Sequence, residues 1–227
     1  MAIDELDQLR ERFVVTLRSD VDSLIRLHER DAKGVGRPGQ WLQAIRRASV
    51  VLIGANLENF VEELVCTALS HLTNERVMAR RFPEGYRLWR LRHTAQSKNL
   101  GIDDAKELAD LILKLFSEVR ELQQDELLLD AIKEEFANPT PKNVNRIMTL
   151  LDKPEYVDNL SVKVDGKETS VNAALHELAR RRNAIARGDA DEDPSLEDVK
   201  RLATFARKFA TRIKNDVSKV AEKCLER

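Results

Sequence analysis

The stretch of the chain that decides its fold, residues 50–55, reads Val50-Val51-Leu52-Ile53-Gly54-Ala55. No polar residue interrupts it, so a helix that contains this stretch is apolar on every side. Such a helix is stable in water only when other elements enclose it. The stretch therefore predicts a central helix, which we place at residues 41–72, surrounded by further helices.

Patterns on both sides of this stretch predict the surrounding helices. Apolar residues recur at helical spacing over residues 3–31, ahead of a glycine-rich linker at residues 33–39. Pro83 and Gly85 interrupt residues 74–100, which we therefore expect to be irregular. Further helices are predicted over residues 103–136 (begun by Asp103 as N-cap and bent near residues 123–125), 142–151, 171–187 and 195 to the C-terminus.

Local signals mark the ends of the last two helices. Ser170 is placed to cap the helix at residues 171–187, and Gly188 to end it in a left-handed conformation. Ser195 and Asp198 have the spacing of a capping box with Asp in place of Glu. Alternation followed by Asp-Gly near residues 160–169 predicts a small β-hairpin.

The composition supports an all-α fold, a helical bundle with long helices and one small hairpin. The chain has only 8 glycines and 6 prolines, and its aromatic residues are 7 Phe, 2 Trp and 2 Tyr. An all-β protein needs more turn formers and more aromatic residues than this. We expect residues 1–227 to form a single helical domain whose N-terminal helix occupies residues 1–33.

The charge balance excludes strong overall attraction to nucleic acid or to a membrane. The 38 basic and 39 acidic residues give a net charge of −1, so any nucleic-acid site must be a local patch. Cys66 and Cys224 form no metal-site or disulfide pattern, and the linker glycines follow a polar helix instead of the strand that a nucleotide fingerprint requires. We therefore expect no metal and no cofactor. Without a signal peptide or a membrane-spanning stretch, we also expect a cytoplasmic protein with no membrane partner.

Arg182 occupies an unusual position in the predicted helix at residues 171–187. Leu175, Leu178 and Ile185 form the apolar stripe of this helix, and Arg182 falls on the same stripe. A guanidinium directed into a packing face is costly unless a carboxylate pairs with it or solvent reaches it. Two interpretations stay open here: an arginine at the edge of the bundle that pairs with a glutamate, or an arginine that has a function.

The residues that follow Arg182 resemble the signature of a known family. The chain reads Arg182-Asn183-Ala184-Ile185-Ala186-Arg187-Gly188-Asp189. This run resembles the motif of the HEPN family, in which an arginine, usually followed by a polar residue, precedes a histidine. The helix start at Pro194-Ser195 and the segment at residues 47–60 are similar to the RiboL-PSP-HEPN branch. The resemblance covers residues 40–220, roughly.

The resemblance implies a metal-independent endoribonuclease whose cleft lies between the protomers of a homodimer. In that reaction the RNA 2′-hydroxyl attacks the neighbouring phosphate, while the protein moves protons and stabilises the phosphorane charge. By motif position, Arg182 would contact the phosphate and Asn183 would orient Arg182. A guanidinium suits this role because its fork of donors matches phosphate oxygens. Glu58 would anchor the arginine; an ordinary surface glutamate is the alternative interpretation.

Arg187 departs from the family pattern because it stands at the position of the motif histidine. A guanidinium stays charged and moves no proton, and losing acid–base catalysis slows a reaction by about 10²- to 10⁴-fold. We expect a toxin or anti-phage effector, with a cognate antitoxin as partner, that binds RNA but is impaired in catalysis. The alternative is a non-catalytic RNA-binding or protein-interaction module. Arg187 is either natural or an inactivating substitution, and the otherwise intact motif favours the second.

Residues 76–98 form a second candidate RNA-binding segment. Glu84 is its only acidic residue, and aromatic residues interleave with its arginines. Charge for the backbone and rings for stacked bases is the combination that binds single-stranded RNA. The alternative is a solvated flap whose rings pack onto the bundle. The residues that we predict to contact RNA here are Arg87, Trp89, Arg90 and Arg92.

Overall fold

The computed structural model describes residues 2–32, 39–99, 104–136 and 138–226. Over these residues the chain is an all-α bundle with one small antiparallel hairpin, which confirms the fold class predicted from composition and periodicity. The predicted linker, apart from Gly39, and the predicted N-cap Asp103 lie outside the described residues.

Helix α3 (Gly39–Asn74) is the central helix of the bundle. Val50, Ile53 and Leu57 in its middle are completely buried. Helices α1 (Ala2–Leu17) and α9 (Leu196–Leu225) pack most closely against α3. Within the all-apolar stretch at residues 50–55, Val51 and Leu52 are only half-buried and Ala55 is exposed, so other elements enclose this part of α3 on part of its surface.

The N-terminal helix forms nearly as predicted over residues 3–31. After α1 the chain passes through a π-helical turn at Arg18–Asp22 and continues as α2 (Ser23–Asp31). Leu17 and Val21 are completely buried, so the apolar stripe continues through the turn.

Residues 74–100 are not irregular as predicted, because Glu84–Ser97 form helix α4. Pro83 is at the N-cap, outside the helix, so its missing N–H removes no helical hydrogen bond. The Asp152 carboxylate accepts the backbone N–H groups of Glu84 at 3.0 Å and of Gly85 at 2.6 Å. A Cβ atom on Gly85 would lie 1.9 Å from the carbonyl oxygen of Thr149, so glycine is required there. Pro83 and Gly85 thus mark the start of a helix.

The single helix predicted over residues 103–136 is also wrong, since the structure has three short elements there. Helix α5 (Ala105–Leu115) is followed by a 3₁₀ turn at Gln124–Leu127 and by α6 (Leu129–Glu135). Gln123 begins the 3₁₀ turn with a capping box, and Leu128 has a left-handed φ of 54°, so no continuous helix runs through these residues.

The elements of the C-terminal half confirm the predicted caps. The Ser170 side chain caps the helix that begins at Val171, and Ser195 forms the predicted capping box with Asp198. Gly188 has a φ of +81°, and it donates to Ile185 O while Asp189 donates to Ala184 O, the two bonds of a Schellman motif. The elements are α7 (Pro141–Thr149), the hairpin of β1 (Ser161–Val164) and β2 (Lys167–Ser170), α8 (Val171–Ala186), and then α9.

None of the helices in the described part of the chain combines the length and the apolar character needed to cross a membrane.

Candidate functional site

Arg182 lies on the face of α8 that packs against α3. Its aliphatic stem crosses α3 at Gly54, where an added Cβ would be 2.8 Å from Arg182 Cδ. Real Cβ atoms do not approach other atoms so closely, so a glycine at this point of α3 makes room for the arginine. The apolar stripe of α8 therefore accommodates Arg182 through a small residue on the opposing helix.

The guanidinium of Arg182 is held by one carboxylate and one amide. Nη1 donates to Glu58 Oε2 at 2.7 Å and to Asn138 Oδ1 at 3.2 Å. The side chains of Arg182 and Glu58 are 23% and 20% exposed, so the ion pair is partly shielded from water. Nε and Nη2 of Arg182 have no hydrogen-bond partner among the described residues and remain available as donors. Both sequence interpretations of Arg182 expected a carboxylate partner, and the contact alone is compatible with either.

Asn138 connects all three polar side chains of this cluster, although the sequence did not suggest it. Its backbone N–H donates to Glu58 Oε1 at 2.6 Å, and its side-chain Nδ2 donates to Asn183 Oδ1 at 3.2 Å. The backbone of Asn138 is left-handed, with a φ of 72°, a conformation that Asn tolerates better than most residues. The dipeptide Asn138-Pro139 is a turn signal that the sequence offered, but it gives no indication of proximity to Arg182.

Glu62, one helical turn after Glu58 on α3, adds to the negative charge of this region. Burial raises its pKa; Lys133 opposes the shift, and the charge of Glu58 adds to it. Both carboxylates project from the same face of α3, since they are four residues apart. Glu58, the carboxylate partner of Arg182, therefore has a second carboxylate beside it on α3.

Arg187 is presented differently from Arg182. It is exposed at the C-cap of α8, and its side chain makes no hydrogen bond or ion pair with any described residue. It borders an open recess of about 600 Å³. Asn183, which accepts a hydrogen bond from Asn138, lines the same recess and so connects it to the Arg182 cluster. The lining residues are Arg180, Asn183, Ala184, Arg187, Gly188 and Asp189.

The acidic loop after the motif is fixed by arginines of α3 that the sequence did not single out. Arg46 donates to Asp193 Oδ1 at 2.6 Å and to the carbonyl of Pro194 at 2.7 Å. Arg47 donates to the carbonyls of Asp189 at 2.6 Å and of Glu192 at 3.2 Å. The recess beside Arg187 therefore has one wall that is held in place by charged hydrogen bonds.

The predicted RNA-binding residues of α4 do not share one surface. A helix turns by about 100° per residue, which separates Arg87 from Arg92 by about 140°. Arg92 is exposed in a recess that Trp89 also lines, whereas Arg90 is only 5% exposed. A buried guanidinium is not presented to a phosphate in this conformation, and the contact of Arg90 with RNA stays a prediction. Arg87 faces a different cleft, with its guanidinium 4.4 Å above the ring of Phe116.

Trp89 is only partly exposed, which limits its use as a stacking platform. Its indole Nε1 donates to Glu135 Oε2 at 3.3 Å, and its ring lies 5.2 Å from that of His93 and 6.2 Å from that of Tyr86. This packing matches the alternative interpretation in which the rings of the segment rest on the bundle.

The described residues form no candidate metal site and present no reactive thiol. The residues there contain no group of three or more His, Cys, Asp or Glu placed to hold a metal ion. Burial raises the pKa of each cysteine thiol, Cys66 and Cys224, to about 11, so both are protonated at neutral pH and neither is a ready nucleophile.

The comparison with family models agrees with this fold. A model of the family described as RiboL-PSP-HEPN matches residues 16–219. The chain therefore belongs to the RiboL-PSP-HEPN family of the HEPN superfamily. The match begins within α1. The resemblance seen in the sequence began only at about residue 40, so the family model covers more of the N-terminal part of the chain. No curated protein and no solved structure matches the chain.

Proposed function

We propose that the chain binds RNA at the Arg182–Arg187 site and has the architecture of a metal-independent endoribonuclease whose catalysis is impaired by Arg187. One observation carries this proposal. Arg182 is fixed through Nη1 by Glu58 and Asn138 while Nε and Nη2 stay available, and the unpaired Arg187 lies on the recess that Asn183 shares with this cluster. A fixed guanidinium with free donors is suited to phosphate oxygens.

The proposed reaction needs a phosphate-binding group and a proton carrier. The 2′-hydroxyl oxygen bonds to the adjacent phosphorus as it loses its proton, and the bond from phosphorus to the 5′-oxygen breaks as that oxygen gains a proton. Arg182 would stabilise the charge on the phosphorane oxygens. Position 187 would supply the proton carrier, and a histidine does this near neutral pH whereas Arg187 does not. The present chain would thus bind the strand without cleaving it efficiently.

We further propose that two copies form the functional unit. The Arg187 recess is open on one side, and a two-fold axis near the C-terminal end of α8 would bring two recesses together. The resulting composite cleft would present Arg182 and Arg187 from both copies to one RNA strand. In an active form, such a nuclease would act as a toxin or anti-phage effector and would need a cognate antitoxin to restrain it.

A second candidate function is a non-catalytic RNA-binding module. The exposed, unpaired guanidinium of Arg187 favours it, because an arginine adds affinity for phosphate at the place where catalysis would need a histidine. A protein-interaction module is the remaining alternative.

The substitution Arg187→His separates these functions. We expect it to produce cleavage of single-stranded RNA in EDTA, with products that end in a cyclic 2′,3′-phosphate and with slower growth of cells that express it. Arg180→His is the matched control, because it places an imidazole on the same recess outside the motif position. Adding Arg182→Ala to Arg187→His should abolish cleavage. A folded Arg187→His variant that binds RNA without cleaving it would support the non-catalytic module instead.

A further inference from the structure

A second basic cleft lies where α4 begins, the chain leaves α7, and α9 approaches its C-terminal end. It has a volume of about 540 Å³. Its cationic lining residues come from three separate parts of the chain, so no sequence window reveals them together. They are Arg81, Arg87, Lys153, Lys219 and Lys223.

These five cations form no direct ion pairs with carboxylates of the described residues. None of them forms an ion pair with another residue in the described ranges, whereas most arginines near the α8–α9 connection do. The Arg87 guanidinium is positioned by its stacking on Phe116 and by an Nε hydrogen bond to the carbonyl of Phe82 at 3.0 Å. Its two terminal nitrogens have no hydrogen-bond partner among the described residues.

The two acidic residues of the cleft leave its lining with an excess of positive charge. Both carboxylate oxygens of Asp152 are occupied by the first N–H groups of α4, at 2.6 and 3.0 Å. Glu84 is exposed in the first turn of the same helix, where a carboxylate interacts favourably with the helix dipole. The lining therefore carries five positive and two negative side chains.

The cleft is far from the Arg182 site. Arg181, beside Arg182, pairs with Asp198 in the first turn of α9, whereas Lys219 and Lys223 belong to the last turns of α9. With a rise of 1.5 Å per residue, 21 residues of helix separate Asp198 from Lys219 by about 30 Å. A ligand that reaches both places must be a long one.

The chemistry of the lining favours a sugar–phosphate chain over an isolated nucleotide. Phe82 is its single aromatic residue among the described lining and is only 1% exposed, so no ring is offered for a base to stack on. Lysine and arginine side chains contact phosphates without reading the sequence.

We propose that this cleft, formed by Arg81, Arg87, Lys153, Lys219 and Lys223, binds the backbone of the same single-stranded RNA that the Arg182 site contacts. The inference rests on the proposed RNA-binding function and extends it by a second, distal contact. RNA long enough to span both sites would bind more tightly and with a steeper salt dependence than the Arg182 site alone provides.

The test compares two triple variants of the full chain. Lys153→Ala, Lys219→Ala and Lys223→Ala together remove three cations of the cleft. Each lost phosphate contact makes the plot of log affinity against log salt shallower by about 0.7, so a change of about 2 is expected with a labelled mixed-sequence single-stranded RNA. The matched control combines Lys163→Ala, Lys167→Ala and Lys208→Ala, three exposed lysines outside the cleft, and should leave the slope unchanged.

The outcomes distinguish this inference from the proposed function. If the unaltered chain binds no RNA at low salt, the proposed function fails and the cleft has no RNA to bind. If RNA binds but both triple variants behave alike, the distal contact alone is overturned. A cleft variant that loses binding of inorganic triphosphate yet keeps its RNA affinity would also overturn it, because the cleft would then serve a small polyphosphate. Circular dichroism establishes that each variant is folded.

Discussion

At the residue scale, the position of Arg182 depends on one glycine and on one residue with a left-handed backbone conformation. Gly54 leaves room for the arginine stem, and Asn138 turns its backbone N–H toward Glu58 while its amide contacts Arg182 and Asn183. Neither residue carries a charge, but both determine where the charge of Arg182 lies.

Substitutions at Asn138 separate its backbone role from its side-chain role. Asn138→Gly removes the amide but tolerates the left-handed backbone, so it should weaken RNA binding severalfold with little change in thermal stability. Asn138→Ala should weaken RNA binding equally and also lower the free energy of unfolding by about 1 kcal/mol, because Ala is strained at positive φ. Thermal denaturation and RNA-binding anisotropy measure the two effects. Equal RNA affinity in both variants and the unaltered chain would exclude a positioning role for Asn138.

Gly54→Ala tests the space that α3 leaves for the arginine. The added Cβ would force Arg182 Cδ to move, and overpacking of this kind costs about 1–3 kcal/mol. Gly39→Ala is the control, because a Cβ at that position of the same helix meets nothing within 4 Å. Chemical denaturation should show a loss of stability for Gly54→Ala alone. If both variants were equally stable, the close contact with Arg182 would not constrain residue 54.

At the element scale, charged side chains join α8 to α9 behind the motif. Glu177 accepts from Arg181 at 3.0 Å and from Arg201 at 2.6 Å, and these arginines also contact Asp198. Arg181 reaches Glu192 in the intervening loop as well, at 2.7 Å. The network ties the C-terminal half of α8 to the first turns of α9 and to the loop between them.

This network predicts a loss of stability in acid. Burial opposes ionisation of Glu177, but the hydrogen bonds and charges of Arg201 and Arg181 outweigh it, so the folded-state pKa lies below the unfolded value. Glu177 therefore stabilises the fold above its unfolded pKa, and this contribution disappears as the pH falls through its folded pKa.

Glu177→Gln should remove that contribution, lowering stability near neutral pH by about 1 kcal/mol and making the melting temperature less sensitive to acid. Glu134→Gln, at an exposed residue with no ion pair among the described residues, is the control. Melting curves between neutral pH and pH values below the ordinary carboxylate range compare the three proteins. Parallel pH profiles for Glu177→Gln and the unaltered chain would contradict the prediction.

Elements and caps were predictable from the sequence wherever their causes are local. Ser170, Gly188 and Ser195 act on residues within a few positions, so a short window contains the whole signal. Helix α4 was missed because the carboxylate that caps it belongs to Asp152, 67 positions from Gly85. The role of Asn138 was missed because its partner Glu58 is 80 positions away. The motif arginine was recognised, whereas the residues that hold it were only partly identified.

At the scale of the whole molecule, a net charge of −1 conceals an uneven distribution. Unpaired cations line the cleft at Lys219 and Lys223, and the single unpaired Arg187 borders the recess at the other end of α9. The single-domain prediction for residues 1–227 agrees with one continuous hydrophobic core over the described residues, and it stays a prediction.

The composite cleft makes a prediction about the assembly of two copies. Sedimentation at micromolar concentration should show a dimer for the unaltered chain. Ala186→Arg, at the exposed end of α8 beside the recess, should favour the monomer because it places bulk and charge at the proposed axis. Ala173→Arg, an exposed residue in the first turn of the same helix, should leave the dimer intact. A chain that sediments only as a monomer would remove the composite cleft and leave the helical fold unaffected.

The pairing of Glu58 with Arg182 joins residues 124 positions apart, and Arg46 and Asp193 are separated by 147 positions. A ribosome completes the N-terminal part of a chain first, so α3 is synthesised well before α8 exists. The proposed RNA site is therefore assembled only when nearly the whole chain has been synthesised. A nascent chain of an active relative with this arrangement would have no complete nuclease site during most of its translation. It would therefore not cleave the messenger RNA from which it is being translated.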